Sequence, residues 1–322
     1  MPPSSPLVAG IDLGGTNMQI GIVDEVGTIV ARKKRKTRSD KGSDAVLDRI
    51  IEGVTEACTA AGISPADLAA VGIGAPGAID HDAGVVIEAP NLGWNRFPLA
   101  RTLSSALADR PIMLDNDVNV AIVGEHQFGA GRGCDDVLGV WIGTGIGGGL
   151  ILGGKLYHGA LGTAGEIGQM ILFPTAAIGQ RTLEQSCSRK HVVDRMRHLV
   201  EDGHPTLLAQ LTDSSARIGA KLVAEAYDKG DELTVTVIDE ITTLLGSSIG
   251  SVITLLSLPR VILGGGLTEA LGQPFVDRVA THVREVVFPK SLSSVKIVPT
   301  QLEDDAGLLG AAFMAQQAHC TH

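Results

Sequence analysis

The chain has 322 residues, of which 44% are hydrophobic and only 3% aromatic, and its formal net charge is −10. That length allows one large or two ordinary domains with an aliphatic core, and the acidic balance disfavours non-specific binding to nucleic acid. The four cysteines form no C-x-x-C pair and no secreted disulfide pattern, and we expect no signal peptide or transmembrane helix, hence a cytoplasmic protein without membrane contacts.

Hydrophobic periodicity predicts an alternation of strands and helices along the whole chain. The first elements are three strands, an amphipathic helix and a buried strand: Leu7–Leu13, Met18–Asp24, Thr28–Lys36, Asp44–Ala61 and Leu68–Gly74. Then follow helix Leu99–Ala108, strand Ile112–Asp115, helix Val118–Phe128, a strand pair within Val137–Leu156, helices Thr182–Asp202, Ser214–Lys229 and Glu232–Leu256, strand Arg260–Leu263, helix Phe275–Val286, strand Lys296–Pro299 and helix Ala306–Gln317.

This order of elements occurs twice, which predicts an α/β fold of two related lobes with a cleft between them. We place a smaller N-terminal lobe at residues 1–118 and a larger lobe at 119–307. The last helix, within 308–322, is expected to pack back on the first lobe, which otherwise lacks a closing element.

A strand-turn-strand unit also occurs twice, and aligning Gly10 with Gly139 places Gly14 opposite Gly143. In each copy an apolar strand ends in a Gly/Thr turn, where backbone N–H groups can approach an anion because no Cβ is in the way. Two such turns could hold the two ends of one polyphosphate. The candidate phosphate-binding residues are Gly14, Gly15, Thr16, Asn17, Thr144 and Gly145.

Two further features have both a functional and a purely structural interpretation. Asp12, directly before the first turn, can hold Mg²⁺ through water, or it can simply hydrogen-bond the turn backbone. The run Gly264-Gly265-Gly266 follows a strand and precedes a helix. It can take a flat ring and an anion at the helix N-terminus, or it can serve only tight strand–helix packing.

Polar residues beside other predicted elements are candidates for chemistry on an alcohol. Asp117 can cap the following helix or act as general base on a hydroxyl, and its neighbour Asn116 can bind a polyol. Glu166 lies in a Gly-rich loop that neither core nor helix surface explains, and a carboxylate binds vicinal hydroxyls well. Asn91 and Glu184 are weaker candidates that surface positions would also explain.

The basic run Arg32-Lys33-Lys34-Arg35-Lys36 stands out in an acidic chain. The favoured interpretation is the solvent face of an edge strand, where lysine blocks pairing with another sheet. A track for an anion or polyphosphate is the alternative. Gly246 and Gly250, on a predicted helix, indicate close helix packing, either internal or between subunits.

These motifs together resemble the ROK family of sugar kinases, in particular its bacterial glucokinase branch. The matching segments are Gly10–Asn17, Gly72–Gly77, Pro90–Trp94, Asp115–Asn119, Ile142–Gly149, His158–Gly168 and Leu263–Gly266. They occur in family order across nearly the whole chain. The resemblance implies the two-lobed actin/hexokinase-like ATPase fold, with duplicated ribonuclease H-like domains and an interlobe cleft.

The resemblance also implies residue roles. Asp117 would be the general base on the sugar 6-hydroxyl, and Asp12 would lie near Mg²⁺. The sugar would be bound by Asn91, Asn116, Asp117, Glu166 and Glu184; ATP would be bound by the two turns together with Gly265 and Gly266. The family also suggests a homodimer.

One segment departs from the family pattern, which usually has a histidine after Glu-x-Gly and then a cysteine-rich zinc site. Gln169 occupies the histidine position, and Phe173–Leu183 contains no cysteine. We therefore predict no structural zinc, because zinc prefers thiolates and imidazoles. Gln169 can still hydrogen-bond a sugar hydroxyl. The departure leaves open which hexose is used, and a non-catalytic sugar-binding protein or a sugar-sensing regulator are the other hypotheses.

Overall fold

A computed structural model of the chain describes residues 6–211 and 218–320. The strands are β1 Val8–Leu13, β2 Asn17–Val23, β3 Ile29–Lys36, β4 Val71–Ala75, β5 Ala78–Asp80, β6 Val85–Ala89, β7 Trp94–Phe97, β8 Ile112–Asn116, β9 Val137–Ile142, β10 Ile146–Leu152, β11 Lys155–Leu156, β12 Arg260–Gly264 and β13 Lys296–Pro299. The helices are α1 Ser43–Ala60, α2 Leu99–Ala106, α3 Asp117–Phe128, α4 Glu184–Cys187, α5 Arg189–Glu201, α6 Leu208–Leu211, α7 Ala220–Asp228, α8 Glu232–Leu256, α9 Gly266–Val286 and α10 Ala306–Cys320.

Two five-stranded sheets have the same topology. Their strand orders are β3-β2-β1-β4-β8 and β11-β10-β9-β12-β13. In the first, β1 is antiparallel to β2 and parallel to β4; in the second, β9 is antiparallel to β10 and parallel to β12. Strands β1 and β9 therefore occupy equivalent positions, and the predicted repeat of a strand-turn-strand unit is confirmed as a repeat of structure.

The described residues divide into two compact units, 6–133 with 155–164 and 304–320, and 134–154 with 165–303. The sequence-based boundary at residue 118 differs from this division, because α3 packs on α10 within the first unit. Gly124 of α3 and Gly310 of α10 allow this packing, since a Cβ on either would overlap the backbone of the other helix. As expected, the last helix belongs to the first unit.

Close packing of α10 on the first sheet depends on glycines that lie side by side in neighbouring strands. Gly10 pairs with Gly21 on β2 and with Gly72 on β4. A methyl group at Gly10 would overlap the carbonyl oxygen of Leu308, and one at Gly72 would overlap that of Ala311. The glycines thus form a groove in which the backbone of α10 lies directly on the sheet.

Several elements differ from the sequence prediction. A small sheet of order β5-β6-β7 was not predicted. The predicted helix Thr182–Asp202 is broken at Ser188, and the predicted helix Phe275–Val286 begins earlier, at Gly266, with a kink at Gly272. The predicted helix Ser214–Lys229 begins on residues outside the described ranges, and the described part forms α7 from Ala220.

Helix α8 is long and apolar enough to cross a membrane by length and composition alone. Its apolar residues Leu245, Ile249 and Ile253 are completely buried in the core of the second unit. Gly246 and Gly250 face His282 and Val286 of α9, where a Cβ would overlap those side chains. The small-residue face of α8 therefore serves internal packing against α9.

Candidate functional site

The first glycine turn is anchored through its carbonyl oxygens. The Gly14 N–H donates to the Asn17 carbonyl (3.0 Å), and the Thr37 hydroxyl donates to the Gly14 carbonyl (2.6 Å). The Thr37 N–H donates to the Thr16 carbonyl (2.8 Å). Thr37, just after β3, thus holds the carbonyl oxygens of Gly14 and Thr16, and the Gly14 N–H is used within the turn. Binding of an anion would fall to the other N–H groups of the turn. The side chains of Thr16 and Asn17 are exposed.

Asp12, at the end of β1, has a carboxylate whose ionisation is unfavourable in the folded protein. Its pKa is raised to about 7, first by burial and then by the negative charges of Asp117 and Asp304. The backbone of Gly307 in α10 lies so close that a Cβ there would be 2.8 Å from the Asp12 Cγ. The charges of Asp117 and Asp304 thus disfavour ionisation of Asp12, which a cation beside it would relieve.

A cavity of about 520 Å³ opens beside Asp12 in the first unit. It is lined by acidic and basic side chains and by the first turn: Asp12, Gly14, Asn17, Met18, Gln19, Lys34, Arg35, Lys36 and Asp304. Lys34 forms an ion pair with Asp304 at 2.8 Å. Acidic groups that attract a metal and basic groups that attract phosphate therefore line one cavity.

The basic strand β3 is largely neutralised within its own unit. Arg32 forms an ion pair with Asp305, and Arg35 forms one with Glu52, both near 2.8 Å or shorter. With Lys34 on Asp304, three of the five cations of the run have acidic partners. This pairing supports the interpretation of β3 as an edge strand with a charged solvent face.

The segment Asp115-Asn116-Asp117 joins β8 to α3, and its side chains bind the first N–H groups of the helix. Asn116 is the helix cap: its Oδ1 accepts the N–H groups of Val118 (2.8 Å) and Asn119 (3.3 Å). Its Nδ2 donates to the Gly77 carbonyl (3.1 Å), so most of the Asn116 amide is used inside the protein. Asp117 is then the first helical residue and is not needed as the cap.

Burial raises the pKa of Asp117, and hydrogen bonds from the backbone N–H groups of Val118 and Asp117 and from the Asn116 side chain offset part of that rise. A carboxylate at a helix start with a raised pKa has the properties of a general base. Asn91 is exposed in the turn after β6, and its Cβ lies 3.1 Å from the position of a Cβ on Gly15. The structure therefore places Asn91 beside the first turn.

In the second unit, Glu184 contacts the second glycine turn. The Gly143 N–H donates to the Gly145 carbonyl (2.9 Å), and the Ile146 N–H donates to Glu184 Oε2 (2.8 Å). A Cβ on Gly145 would overlap the Glu184 carboxylate. Glu184 was expected to bind sugar; in the structure one of its oxygens fixes the turn backbone.

The loop with Glu166 and Gln169 also lies against the start of β10. A Cβ on Gly168 would overlap the Ile146 carbonyl, and one on Gly165 would approach the Gly148 carbonyl to 2.6 Å. Both Glu166 and Gln169 are exposed. The structure thus gathers Glu166, Gln169 and Glu184, three of the expected sugar-binding residues, around the start of one strand.

Gly265 and Gly266 meet the second turn at the start of α9. Gly265 has φ 85° and lies against the Ile142 backbone, where a Cβ would be 2.7 Å from the Ile142 nitrogen. Arg189, which sequence reasoning missed, lies between these elements. Its Nη2 donates to the Thr144 hydroxyl (3.0 Å), and its Nη1 is 3.2 Å from the Cβ position of Gly266.

Arg189 brings a guanidinium to a place where two backbone anion-binding features meet, the second turn and the N-terminus of α9. Its backbone N–H also donates to the Gly143 carbonyl (2.9 Å). A single arginine at the start of a helix carries no periodic or motif signal. The contact with Thr144 depends on the tertiary fold, which explains why the sequence did not indicate it.

A zinc ion does not fit the residues present where the family usually has a cysteine-rich site. Cys187 is completely buried, its pKa is raised to about 12 by burial, and its thiol faces the Ile241 carbonyl. No group of three or more His, Cys, Asp or Glu in residues 6–211 and 218–320 is arranged to hold a metal ion.

The segment that takes the place of that site is held by hydrogen bonds. Arg181 donates from Nε to the Ala176 carbonyl (2.7 Å), and its own carbonyl accepts the N–H groups of Leu172 and Phe173. Gln185 Oε1 accepts the Arg181 N–H at 2.8 Å. We refer to residues 171–185 as the Arg181 hairpin. It leads directly into α4 and Glu184.

Comparisons with known proteins agree with this geometry. The ROK family model matches residues 8–318. The glucokinase of Thermotoga maritima is 32% identical over 96% of both chains. The crystal structure of a ROK family glucokinase from Streptomyces griseus, in complex with glucose and AMPPNP, has a TM-score of 0.83 and 32% identity and covers 97% of this chain and 99% of its own.

A third relative belongs to another functional class. The xylose repressor of Caldicellulosiruptor bescii is 25% identical over 95% of this chain, and the match covers 77% of the repressor. Glucokinases and a xylose repressor are thus both similar to nearly the whole of this chain. From its fold, its two glycine turns and the family match across residues 8–318, the chain belongs to the ROK family.

Proposed function

We propose that this protein is an ATP-dependent hexose kinase that transfers the γ-phosphoryl group of ATP to the 6-hydroxyl of glucose. The observation that carries the proposal is the position of Asp117, a carboxylate with a raised pKa whose capping role is taken by Asn116. A repressor or a passive sugar-binding protein has no need of a carboxylate with a raised pKa at that point. The similarity to glucokinases over nearly the whole chain supports glucose as the acceptor.

Asp117 accepts the proton of the attacking hydroxyl as the new oxygen–phosphorus bond forms and the bond to the ADP oxygen breaks. The products are the sugar phosphate, ADP and one proton, held first on Asp117. Its raised pKa brings the carboxylate closer to the basicity that this transfer requires. Asn91, Glu166, Gln169 and Glu184 are the candidate groups for orienting the sugar.

Each unit supplies candidate groups for the phosphates of ATP: the first turn in one unit, and the second turn with the start of α9 in the other. Gly14, Gly15, Thr16 and Asn17 supply one turn; Thr144, Gly145, Gly265 and Gly266 supply the other groups. Arg189 adds a positive charge beside Thr144. Charge-assisted hydrogen bonds of this kind are stronger than neutral ones, so Arg189 contributes to nucleotide affinity.

Mg²⁺ fits the residues of the first unit. Magnesium binds hard oxygen ligands and is usually held by one or two carboxylates, water and substrate phosphates. Asp12 would supply such a carboxylate, and its pKa, raised to about 7 by burial and by the charges of Asp117 and Asp304, would fall beside a cation. When bound, the metal neutralises charge on the transferring phosphates.

The decisive experiment is a matrix of sugars and phosphoryl donors assayed by product formation. Glucose, fructose, mannose, N-acetylglucosamine and N-acetylmannosamine are each offered with ATP and with inorganic polyphosphate. Activity with glucose and ATP is the expected result, and inactivity in every combination would rule the kinase out. Asp117→Asn should lower kcat by about 10²–10⁴-fold with sugar affinity retained, whereas the exposed control Asp40→Asn should match the wild type.

A kinase for another hexose is the second candidate, because Gln169 stands at a position where the family has a sugar-binding histidine. Calorimetric sugar binding without turnover would indicate a non-catalytic binding protein. Polyphosphate is the donor alternative that the cavity beside Lys34 and Lys36 favours. We further propose a cytoplasmic homodimer that binds neither nucleic acid nor membrane and contains no structural zinc.

A further inference from the structure

Asp115, two residues before the candidate base, is a buried carboxylate that joins three parts of the first unit. Its side chain is 2% exposed. Its Oδ1 accepts the backbone N–H of Asn116 (2.7 Å) and the side-chain N–H of Asn119 (2.8 Å). Its Oδ2 is 2.6 Å from His158 Nε2. Both contacts of Oδ1 are with the first turn of α3, the turn from which Asp117 projects.

His158 is the counter-ion of this carboxylate. The hydrogen bond with Asp115 raises the pKa of His158, burial lowers it, and the charges of Asp115 and Asp82 raise it further. The ring of His81 stacks on His158 with the centroids 4.0 Å apart. The titratable groups that face His158 are therefore Asp115, Asp82 and His81; of these, Asp115 and Asp82 favour its protonated form.

A buried carboxylate whose partner is removed retains the cost of desolvation without compensation. In this fold the unpaired charge would disturb Asn116 and Asn119, because both donate a hydrogen bond to Oδ1 of Asp115. Asn116 is the cap that fixes the start of α3, and Asp117 is the next residue. His158 thus acts on the base through Asp115 and needs no contact with sugar or nucleotide.

We propose that His158 is a positioning residue for phosphoryl transfer, which holds Asp115 and thereby fixes the direction of Asp117. The proposal rests on the proposed kinase function. The imidazole supplies both a hydrogen bond and a positive charge, and these two contributions have separate consequences. The hydrogen bond sets the geometry of the Asp115–Asp117 turn, and the charge offsets the negative potential of Asp115 at Asp117.

Two variants separate hydrogen bond from charge. His158→Ala removes both, whereas His158→Gln retains an N–H donor directed at Asp115. His158→Ala should lower kcat roughly ten- to a hundredfold with KM for glucose and ATP changed less than about threefold, since small misplacement of a catalytic group has effects of this size. His158→Gln should recover most of kcat. His204→Ala, at an exposed histidine, is the matched control.

The proposal fails if His158→Ala retains kcat within about twofold of wild type, or if His158→Gln is no better than His158→Ala. The pH profile gives a readout that loss of packing alone would not move. Without the imidazolium, the charge of Asp115 disfavours ionisation of Asp117, so the acid limb of kcat/KM for glucose should move to higher pH in both variants. An unmoved limb contradicts the role of charge.

Amide hydrogen exchange tests the same link without any assay of activity. Exchange at residues 116–119 should accelerate in His158→Ala and remain close to wild type in His204→Ala. If the wild-type protein phosphorylates no sugar, the proposed function fails, and exchange still decides the structural link. If the wild type is active and neither kcat nor exchange responds to His158→Ala, the positioning role alone is overturned.

Discussion

Replacing Asp12 by asparagine should make the protein more stable at neutral pH and at the same time remove its activity. Burial and the charges of Asp117 and Asp304 raise the pKa of Asp12 from 3.8 to about 7. Below pH 3.8 the carboxyl is protonated in both the folded and the unfolded state. Between these two values the unfolded chain ionises while the folded protein retains the proton, so folding stability falls as the pH rises.

The magnitude follows from the shift of about three pKa units. At about 1.4 kcal/mol per unit, the ionised Asp12 lowers the free energy of unfolding by up to about 4 kcal/mol above pH 7. Water penetration and relaxation reduce this figure, and we expect about 2–4 kcal/mol. Asparagine has nearly the same shape and no charge, so Asp12→Asn should recover this amount near pH 8 and very little near pH 4.

Urea denaturation of the ligand-free, magnesium-free protein at several pH values between 4 and 8 measures the effect. The quantity of interest is the difference in the free energy of unfolding between Asp12→Asn and wild type, which should grow with pH. Asp40→Asn, on the surface, is the control and should give a constant difference. Parallel stability curves for Asp12→Asn and wild type would refute the reasoning, as would a variant with full kinase activity.

Three further predictions concern packing, nucleotide binding and metal content. Gly72→Ala should destabilise the protein by about 1–3 kcal/mol or more in urea denaturation, because its methyl group overlaps α10, whereas Gly219→Ala, in open space, should not. Arg189→Gln should raise KM for ATP about three- to tenfold and leave KM for glucose unchanged, with exposed Lys190→Gln as control; equal KM values would exclude a phosphate contact. Metal analysis should find well below one zinc per chain, and EDTA dialysis followed by assay in Mg²⁺ should leave activity intact. One zinc per chain would contradict the predicted absence of zinc. Arg181→Ala should lower the free energy of unfolding by about 1 kcal/mol, because the hydrogen bonds of its side chain are lost.

The sequence predicted the duplicated sheets because their signals are local. The strands around Gly10 and Gly139 are apolar runs that end in glycine turns, and such patterns report secondary structure directly. The C-terminal helix was assigned to the first unit by counting elements. The helix packs there because of the groove at Gly10, Gly21 and Gly72. This groove could not be predicted, because it depends on strand register and on the path of α10.

For the site, the sequence indicated candidate residues but not the groups with which their side chains form hydrogen bonds. It left both capping and catalysis open for Asp117; the structure shows that Asn116 is the N-cap, and the role as general base stays a prediction. Sugar binding by Glu184 stays a prediction, and the structure adds that one of its oxygens accepts the Ile146 N–H. The contact of Arg189 with Thr144 and that of Asp115 with His158 were not predicted. In each contact the two residues lie more than forty positions apart in the sequence.

The helix that completes the first sheet also sets the electrostatics of the site. Because glycines in β1 and β4 let α10 lie directly on the sheet, Gly307 at its start comes against the Asp12 carboxylate, and Asp304 just before it adds negative charge. Lys34 of the basic strand compensates Asp304 through an ion pair. The packing of the C-terminal helix therefore contributes to the raised pKa of Asp12, together with the charge of Asp117 on α3. A substitution that loosens α10, such as Gly72→Ala, should therefore lower the pKa of Asp12.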